Sequence, residues 1–408
     1  MLLYSRMSRK KVRPIDENDL QGFKYFKVIC RLLERLHQVG CQRDRAHNRT
    51  LPMDQYMALL LLYMFNPICE SLRGIQRASE LAKVQKILKV PRASLGSLSE
   101  AVQVFDSGLL REIIGELADQ LRPIPHAAKL DDIGGILTLV DGTLLAALPK
   151  MTWALWKDEH NALKAHVQFE LLKGVPVAAT ITQANAGERT VLAENLQADR
   201  IYVQDRGYAQ YSLFQKILDA GSSFVCRIAD NAKFEVIEER ELSAEALAAG
   251  VVRDAVVRLG CPSRQGDLAK PVRIVEVACT PHHKRSGKTG RGGPEQGDTI
   301  LIATDRLDLP ADVVGLIFRH RWQIEIFFRF FKHVLGCRHL LSHDANGIEM
   351  QTYAAIIACL LIALWTGGKP TRATYEMICY RFMGWASEEE LDRHIARLSE
   401  QRASKTSG

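Results

Sequence analysis

The chain has 408 residues, 47% hydrophobic and 25% charged, with 54 Lys and Arg against 47 Asp and Glu. These values exclude a chain that is disordered, collagen-like or coiled-coil throughout, and the length gives room for two or three domains around a large core. The net charge of +7 is unevenly spread: residues 1–130 hold 21 basic and 13 acidic side chains (+8), which leaves 33 and 34 (−1) for the rest. A basic module on a near-neutral body suits a polyanionic partner, most often nucleic acid.

Residues 1–20 read as a polar, basic arm, without the apolar run of a signal peptide. The longest uncharged apolar stretch, Tyr353–Trp365, is thirteen residues. That falls short of the ~20 that cross a bilayer, so a buried helix and no membrane are expected. Nine scattered cysteines without a C-x-x-C pair read as reduced thiols and point to the cytoplasm. From Gly22 to Leu121 apolar residues recur at three- and four-residue steps, as in Phe26, Ile29, Leu33, Leu36 and in Met57, Leu60, Leu61, Met64. That period predicts helices, with Ser71 and Ser107 as starts and breaks at Val90–Pro91 and Gly96. Two readings fit: an ordinary helical bundle, or a helix-turn-helix with Ser97–Phe105 in the DNA groove. Residues 1–125 are taken as one basic, helical, DNA-binding region.

Past a proline-bearing linker the period changes. Gly135–Leu145 is an apolar run interrupted by Asp141, Lys164–Leu172 alternates, and Val175–Thr182 returns after the turn at Lys173–Gly174. A helix over Glu188–Leu196, a strand over Ile201–Val203 ending at Asp205, a helix over Gly207–Ala220 and a strand over Ser222–Ile228 follow. Three strands, helix, strand, helix, strand predict a mixed sheet over residues 130–230, and hence an α+β fold. Residues 231–305 read as a β-rich insertion with strands at Phe234–Arg240, Val251–Leu259, Val272–Cys279 and Thr299–Ala303. Its basic loop holds Lys284, Arg285, Lys288 and Arg291, which suit a DNA backbone or plain solvent. One long helix is expected from Pro310 to Val334, then a helix over Gly347–Trp365; residues 306–366 close the core and 367–408 form a helical tail.

Three carboxylates stand out. Asp141 sits inside an apolar strand, where a carboxylate is expensive unless paired, protonated or metal-bound. Alone it reads equally as a structural Asp before a Gly turn. Asp205 ends a short strand next to a crossover, where active sites gather, though it also suits a helix cap. Glu325 lies in FRHRWQIEIFFRFFK, and on a helical wheel Phe318, Arg321, Glu325 and Lys332 share one stripe while Ile326, Phe327, Phe330, Phe331 and Val334 take the far side. A solvated face with Arg321–Glu325 pairing is the plain alternative. Together, acids on two strands and a helix can converge on two divalent ions, the arrangement phosphoryl transfer uses.

On these residues the chain resembles a DDE transposase of the insertion-sequence-four family, with an RNase H-like catalytic core. The family's Y-(2)-R-(3)-E-(6)-K pattern stands here as Phe318, Arg321, Glu325 and Lys332, with Phe in place of Tyr. LVDGT and VQDRGY resemble the regions of the first and second acids. The resemblance implies cleavage at terminal inverted repeats and strand transfer into target DNA. It implies two magnesium ions, or manganese as substitute, on Asp141, Asp205 and Glu325. DNA contacts would come from Arg321, Lys332 and Phe318, with Arg206 and Tyr208 beside the second acid. The implied partner is double-stranded DNA, the implied assembly a homodimer on it, and the location a bacterial cytoplasm, nucleoid-associated when DNA-bound. A non-catalytic DNA-binding descendant and a stand-alone nuclease are the rival readings.

Overall fold

The computed structural model describes residues 32–39, 44, 49–88, 90–146, 151, 155–157, 160–260, 268–279, 298–337 and 339–406. The chain divides into two units: a helical one from residues 1–122, 146–152 and 330–401, and a sheet-bearing one from 123–145, 153–329 and 402–408.

After a single helical turn at Leu36–Val39 come α1 (Met53–Met64), α2 (Leu72–Ser79), α3 (Ala82–Leu88), α4 (Leu95–Val104) and α5 (Leu109–Asp119). All twelve residues of α1 are buried, so it is a core helix without a solvent face. Ser71 caps α2 by accepting from Gly74 N at 3.2 Å. The helix expected from Ser97 starts earlier, because Ser94 caps α4 through Ser97 N at 3.0 Å. Ser107 precedes α5 without capping it; its hydroxyl donates to Glu349 at 2.7 Å instead.

The sheet unit contains β1 (Ile136–Ala146), β2 (Leu155–Lys157), β3 (His160–Glu170), β4 (Val175–Gln183), α6 (Glu188–Glu194), β5 (Arg200–Gln204), α7 (Tyr211–Asp219), β6 (Ser223–Arg227), β7 (Phe234–Glu239), α8 (Ala244–Ala248), β8 (Val251–Leu259), β9 (Val272–Ala278), β10 (Thr299–Thr304) and α9 (Ala311–Arg319). The strands form one ten-stranded sheet in the order β2-β3-β1-β5-β6-β10-β9-β8-β7, with β4 pairing β3. β1, β5 and β6 run parallel, and β10, β9, β8 and β7 continue as antiparallel neighbours. The architecture is therefore mixed, as the alternation of periods predicts. The strands of residues 231–305 lengthen the core sheet through the β10–β6 pairing rather than building a sheet of their own. Val140, Tyr202, Tyr208, Leu213, Phe214, Phe224 and Cys226 pack under α6 and α7, with Phe214 and Phe224 stacked at 4.1 Å.

α10 (Trp322–His333) passes from the sheet unit into the helical one, and is followed by α11 (Ala345–Thr366), α12 (Arg372–Met383) and α13 (Glu388–Thr406). The long helix expected after Pro310 is thus two helices. At their join Arg321 N donates to Phe318 O at 3.0 Å and Gln323 N to His320 O at 2.9 Å, three-residue bonds that replace the helical ladder. The buried face of α10 also differs from the wheel: Ile324, Phe327, Phe328 and Phe331 are inside, whereas Ile326 is 39% exposed. Ile324 and Phe328 supply the apolar surface that Ile326 was expected to give.

α11 is long and apolar enough to cross a membrane by length and composition, yet 89% of its most apolar window is buried within the structure. It packs on α5, α1 and α4. Its Asn346 amide donates to Val102 O and Phe105 O at 2.5 and 2.7 Å and so closes the end of α4.

Candidate catalytic site

β1 and β5 pair in parallel with Leu139 opposite Val203. Asp141 and Asp205 each stand two residues beyond that pair: Asp141 in the middle of β1, past the stretch paired with β5, and Asp205 just after the end of β5. Asp141 is 20% exposed; its Oδ1 accepts from Gly142 N at 2.8 Å and its Oδ2 lies 3.4 Å from Arg321 Nη1. Arg321 Nη2 in turn donates to Glu325 Oε1 at 2.6 Å. One guanidinium therefore joins the first and third expected acids, from the strand and the helix, across 180 residues of sequence. Asp205 Oδ1 accepts from Gly207 N at 2.7 Å, so the second acid is also the cap of a short turn of helix, Arg206–Tyr208.

A fourth carboxylate joins them. Glu188, read from sequence only as a helix start, opens α6 and pairs with Lys164 Nζ of β3 at 3.1 Å. A Cβ on Gly142 would stand 2.7 Å from Glu188 Oε1. The glycine after Asp141 is the one sequence sign of this approach, and it reads as a turn residue until the fold is seen. Burial pushes the Asp141 carboxyl up to about 6; Gly142 N–H and Arg321 pull it down, and the charges of Asp205 and Glu188 push it further up.

Among the described residues no three His, Cys, Asp or Glu side chains are arranged to hold a metal as they stand. Arg321 lies between Asp141 and Glu325 instead. The donor chemistry does fit a hard divalent ion: the groups that meet here are carboxylates, and mutual repulsion at Asp141 is what a bound cation relieves.

The other expected residues separate. Phe318 is half-buried in the last turn of α9, Arg206 is exposed beside Asp205, and Lys332 is half-buried in the part of α10 that belongs to the helical unit. Tyr208 does not reach the surface. It is 2% exposed within the core cluster, and burial pushes its hydroxyl well above the usual range, so the expected DNA contact is corrected to a packing role. Lys284, Arg285, Lys288 and Arg291 lie outside the described residues. His166 of β3 reaches across to Thr182 of β4. Thr182 donates its hydroxyl to Gln183 O at 3.0 Å, so His166 Nε2 must donate to Thr182 Oγ1 at 2.8 Å. Its Nδ1 is buried without a hydrogen bond, and burial, then Lys164, lowers the ring to about 4.

A core order of β4-β3-β1-β5-β6, with one acid on β1, one just past β5 and another on a late helix, places the sheet unit in the RNase H-like class. A family model described as Transposase DDE domain matches residues 133–361, more than half of the sequence, and the chain belongs to that family. It is 29% identical over 234 residues to a protein of Sinorhizobium fredii assigned as a transposase, y4zB, with 56% of this chain and 60% of that one covered. It is 23% identical over 228 residues to a protein of Geobacillus stearothermophilus assigned as the transposase of insertion sequence element IS5377, with 55% of each covered. It is 23% identical over 285 residues to a protein of Synechocystis assigned as the transposase of insertion sequence element IS4SA, with 68% and 73% covered. The chain thus spans less than two thirds of the first two of these relatives. Among solved structures it is similar to a piggyBac transposase in a synaptic complex with hairpin DNA, at 12% identity and a TM-score of 0.43, with 96% of this chain and 86% of that one covered.

Proposed function

We propose that this protein is a DDE transposase of the insertion-sequence-four kind. It would cut double-stranded DNA at terminal inverted repeats and join the ends to a target by in-line phosphoryl transfer. The observation that carries the reading is the single guanidinium of Arg321 between Asp141 and Glu325, beside Asp205 at the neighbouring strand end. A structural ion pair needs one acid; this constellation gathers several onto one spot at the cost of repulsion. Asp141, Asp205 and Glu325 would hold two magnesium ions, with manganese as a substitute. When bound, these supply a lowered pKa for the attacking water or 3′-hydroxyl and charge stabilisation at the leaving oxygen. The chain's own groups do the rest. Arg321, released from the acids, grips a phosphate with its fork, and Lys332 adds a point charge. Phe318 packs against the substrate, Arg206 reaches the backbone beside Asp205, and Lys284, Arg285, Lys288 and Arg291 are further contacts to the DNA backbone. The basic helical region holds the DNA ends, and pairing two of them calls for a dimer on DNA in the bacterial cytoplasm. Incubation of the full chain with magnesium, a duplex carrying the gene's flanking sequence and a target plasmid tests the reading. Cut ends and joined products are expected. Cut ends without joining identify a nuclease, and bound but intact DNA a non-catalytic binder.

A further inference from the structure

Beside the three expected acids stands a pair whose place is built for it. Lys164 and Glu188, 3.1 Å apart, keep 17% and 25% of their side chains exposed. Both cross Gly142: a Cβ there would stand 2.7 Å from Glu188 Oε1 and 3.0 Å from Lys164 Cδ, so any larger residue displaces them. The other Glu188 oxygen would lie 3.9 Å from a Cβ at Gly207, two residues past Asp205, and the adjoining Arg189 Nε donates to Gly207 O at 2.7 Å. The start of α6 thereby lies against both Asp-bearing segments, the middle of β1 and the turn after β5. It arrives from the face opposite α10: Gln168 donates to Asn195 O at the end of α6 at 3.0 Å, while Phe169, the next residue of β3, meets Phe327 of α10 at 5.6 Å.

A stabilising ion pair has no need of that position. Glu188 instead lies over the residue that follows Asp141 and beside the turn that follows Asp205, and it brings Lys164 there with it. Lys164 brings an ammonium to this place, and an ammonium is suited to a phosphate oxygen. Resting on the catalytic reading above, we propose that Lys164 is a substrate-contacting residue for a DNA phosphate and that Glu188 is the positioning residue that holds it there. The phosphodiester is then gripped from both faces of the sheet, by Arg321 on one side and Lys164 on the other.

The test uses the full chain as wild type, Lys164→Met, Lys164→Arg and Glu188→Gln. The Met variant keeps the aliphatic stem over Gly142 and removes the charge. Binding to a duplex carrying the gene's flanking sequence is measured over a salt series with calcium, and cleavage of the same duplex with magnesium. Lys164→Met is expected to lower the slope of log K against log salt by about 0.9, one phosphate contact, and to slow cleavage roughly tenfold. Lys164→Arg is expected to restore the slope. If Lys164→Met does not fold, Glu188→Gln decides: a raised KM for DNA supports the proposal and an unchanged one overturns it. A wild-type slope in folded Lys164→Met overturns it as well, because the pair is then a strut. The catalytic reading fails separately, if the wild type leaves the duplex uncut or if Asp141→Asn cuts like the wild type.

Discussion

Arg321 does two opposing jobs in this account. It pairs with Asp141 and Glu325, at 3.4 and 2.6 Å; with a metal on those acids it would leave them and would be free for a phosphate. Arg321→Ala should therefore bind manganese more tightly in the absence of DNA, by about fivefold if the half-exposed pairing contributes about 1 kcal/mol, while cleaving DNA more slowly. Paramagnetic titration with manganese reads the first effect, and an affinity equal to or weaker than wild type would remove Arg321 as a place-holder. At this scale Asp141, Asp205 and Glu325 could be singled out in the sequence because an acid in an apolar strand, an acid where a strand ends and an acid in a spaced motif each leave a mark there, and the structure joins Asp141 and Glu325 through Arg321. Glu188 was invisible for the converse reason. An acid at the start of a helix is ordinary, and only the fold lays it over Gly142. Tyr208 misled because a tyrosine beside an acid looks the same in sequence whether its ring points to solvent or into the core.

Two buried polar groups on strands of the sheet each have their own signature. Arg273 of β9 is 2% exposed and grips Asp254 of β8 through Nε and Nη2 at 2.7 and 2.6 Å. It also donates to Leu309 O, just before α9. Arg273→Met leaves Asp254 buried without its partner and should destabilise the fold by about 3–5 kcal/mol in urea unfolding. A loss under about 1 kcal/mol would mean that water replaces the pair. His166 of β3 ties strand stability to pH. Burial lowers its folded-state pKa to about 4, against the ordinary 6.5, so the unfolded chain binds the proton first. The stability it contributes is complete above pH 6.5 and is lost as pH falls towards 4, by up to about 3 kcal/mol. His166→Gln should flatten that part of the pH profile, and an unaltered profile would contradict the assignment. Strand positions were legible because the period of two survives in β3 and β4. The break between α9 and α10 was not, since neither His320 nor Arg321 is a helix breaker and the turn is fixed by bonds formed only in the fold.

The whole molecule gives the charge split a different boundary from the one read along the chain. The basic N-terminal helices are not closed on themselves: α11, more than 200 residues later, lies against α5, α1 and α4, and Tyr375 of α12 donates to Met64 O at 2.7 Å. Charge is a local property of sequence and was readable as such, whereas the return of the C-terminal helices to the first ones is a non-local contact with no periodic mark. α10 runs from the acids into this helical unit, so one helix carries both Glu325 and Lys332. The central claim is that the acids on β1, just past β5 and on α10 form one catalytic site for DNA. The measurement that tests it most directly is cleavage by wild type and Asp141→Asn, side by side with magnesium, on a duplex carrying the gene's flanking sequence. The account predicts cut DNA with a free 3′-hydroxyl from the wild type and a rate lower by roughly a hundredfold or more in a variant that melts at the same temperature. Equal cleavage by the two proteins would contradict it.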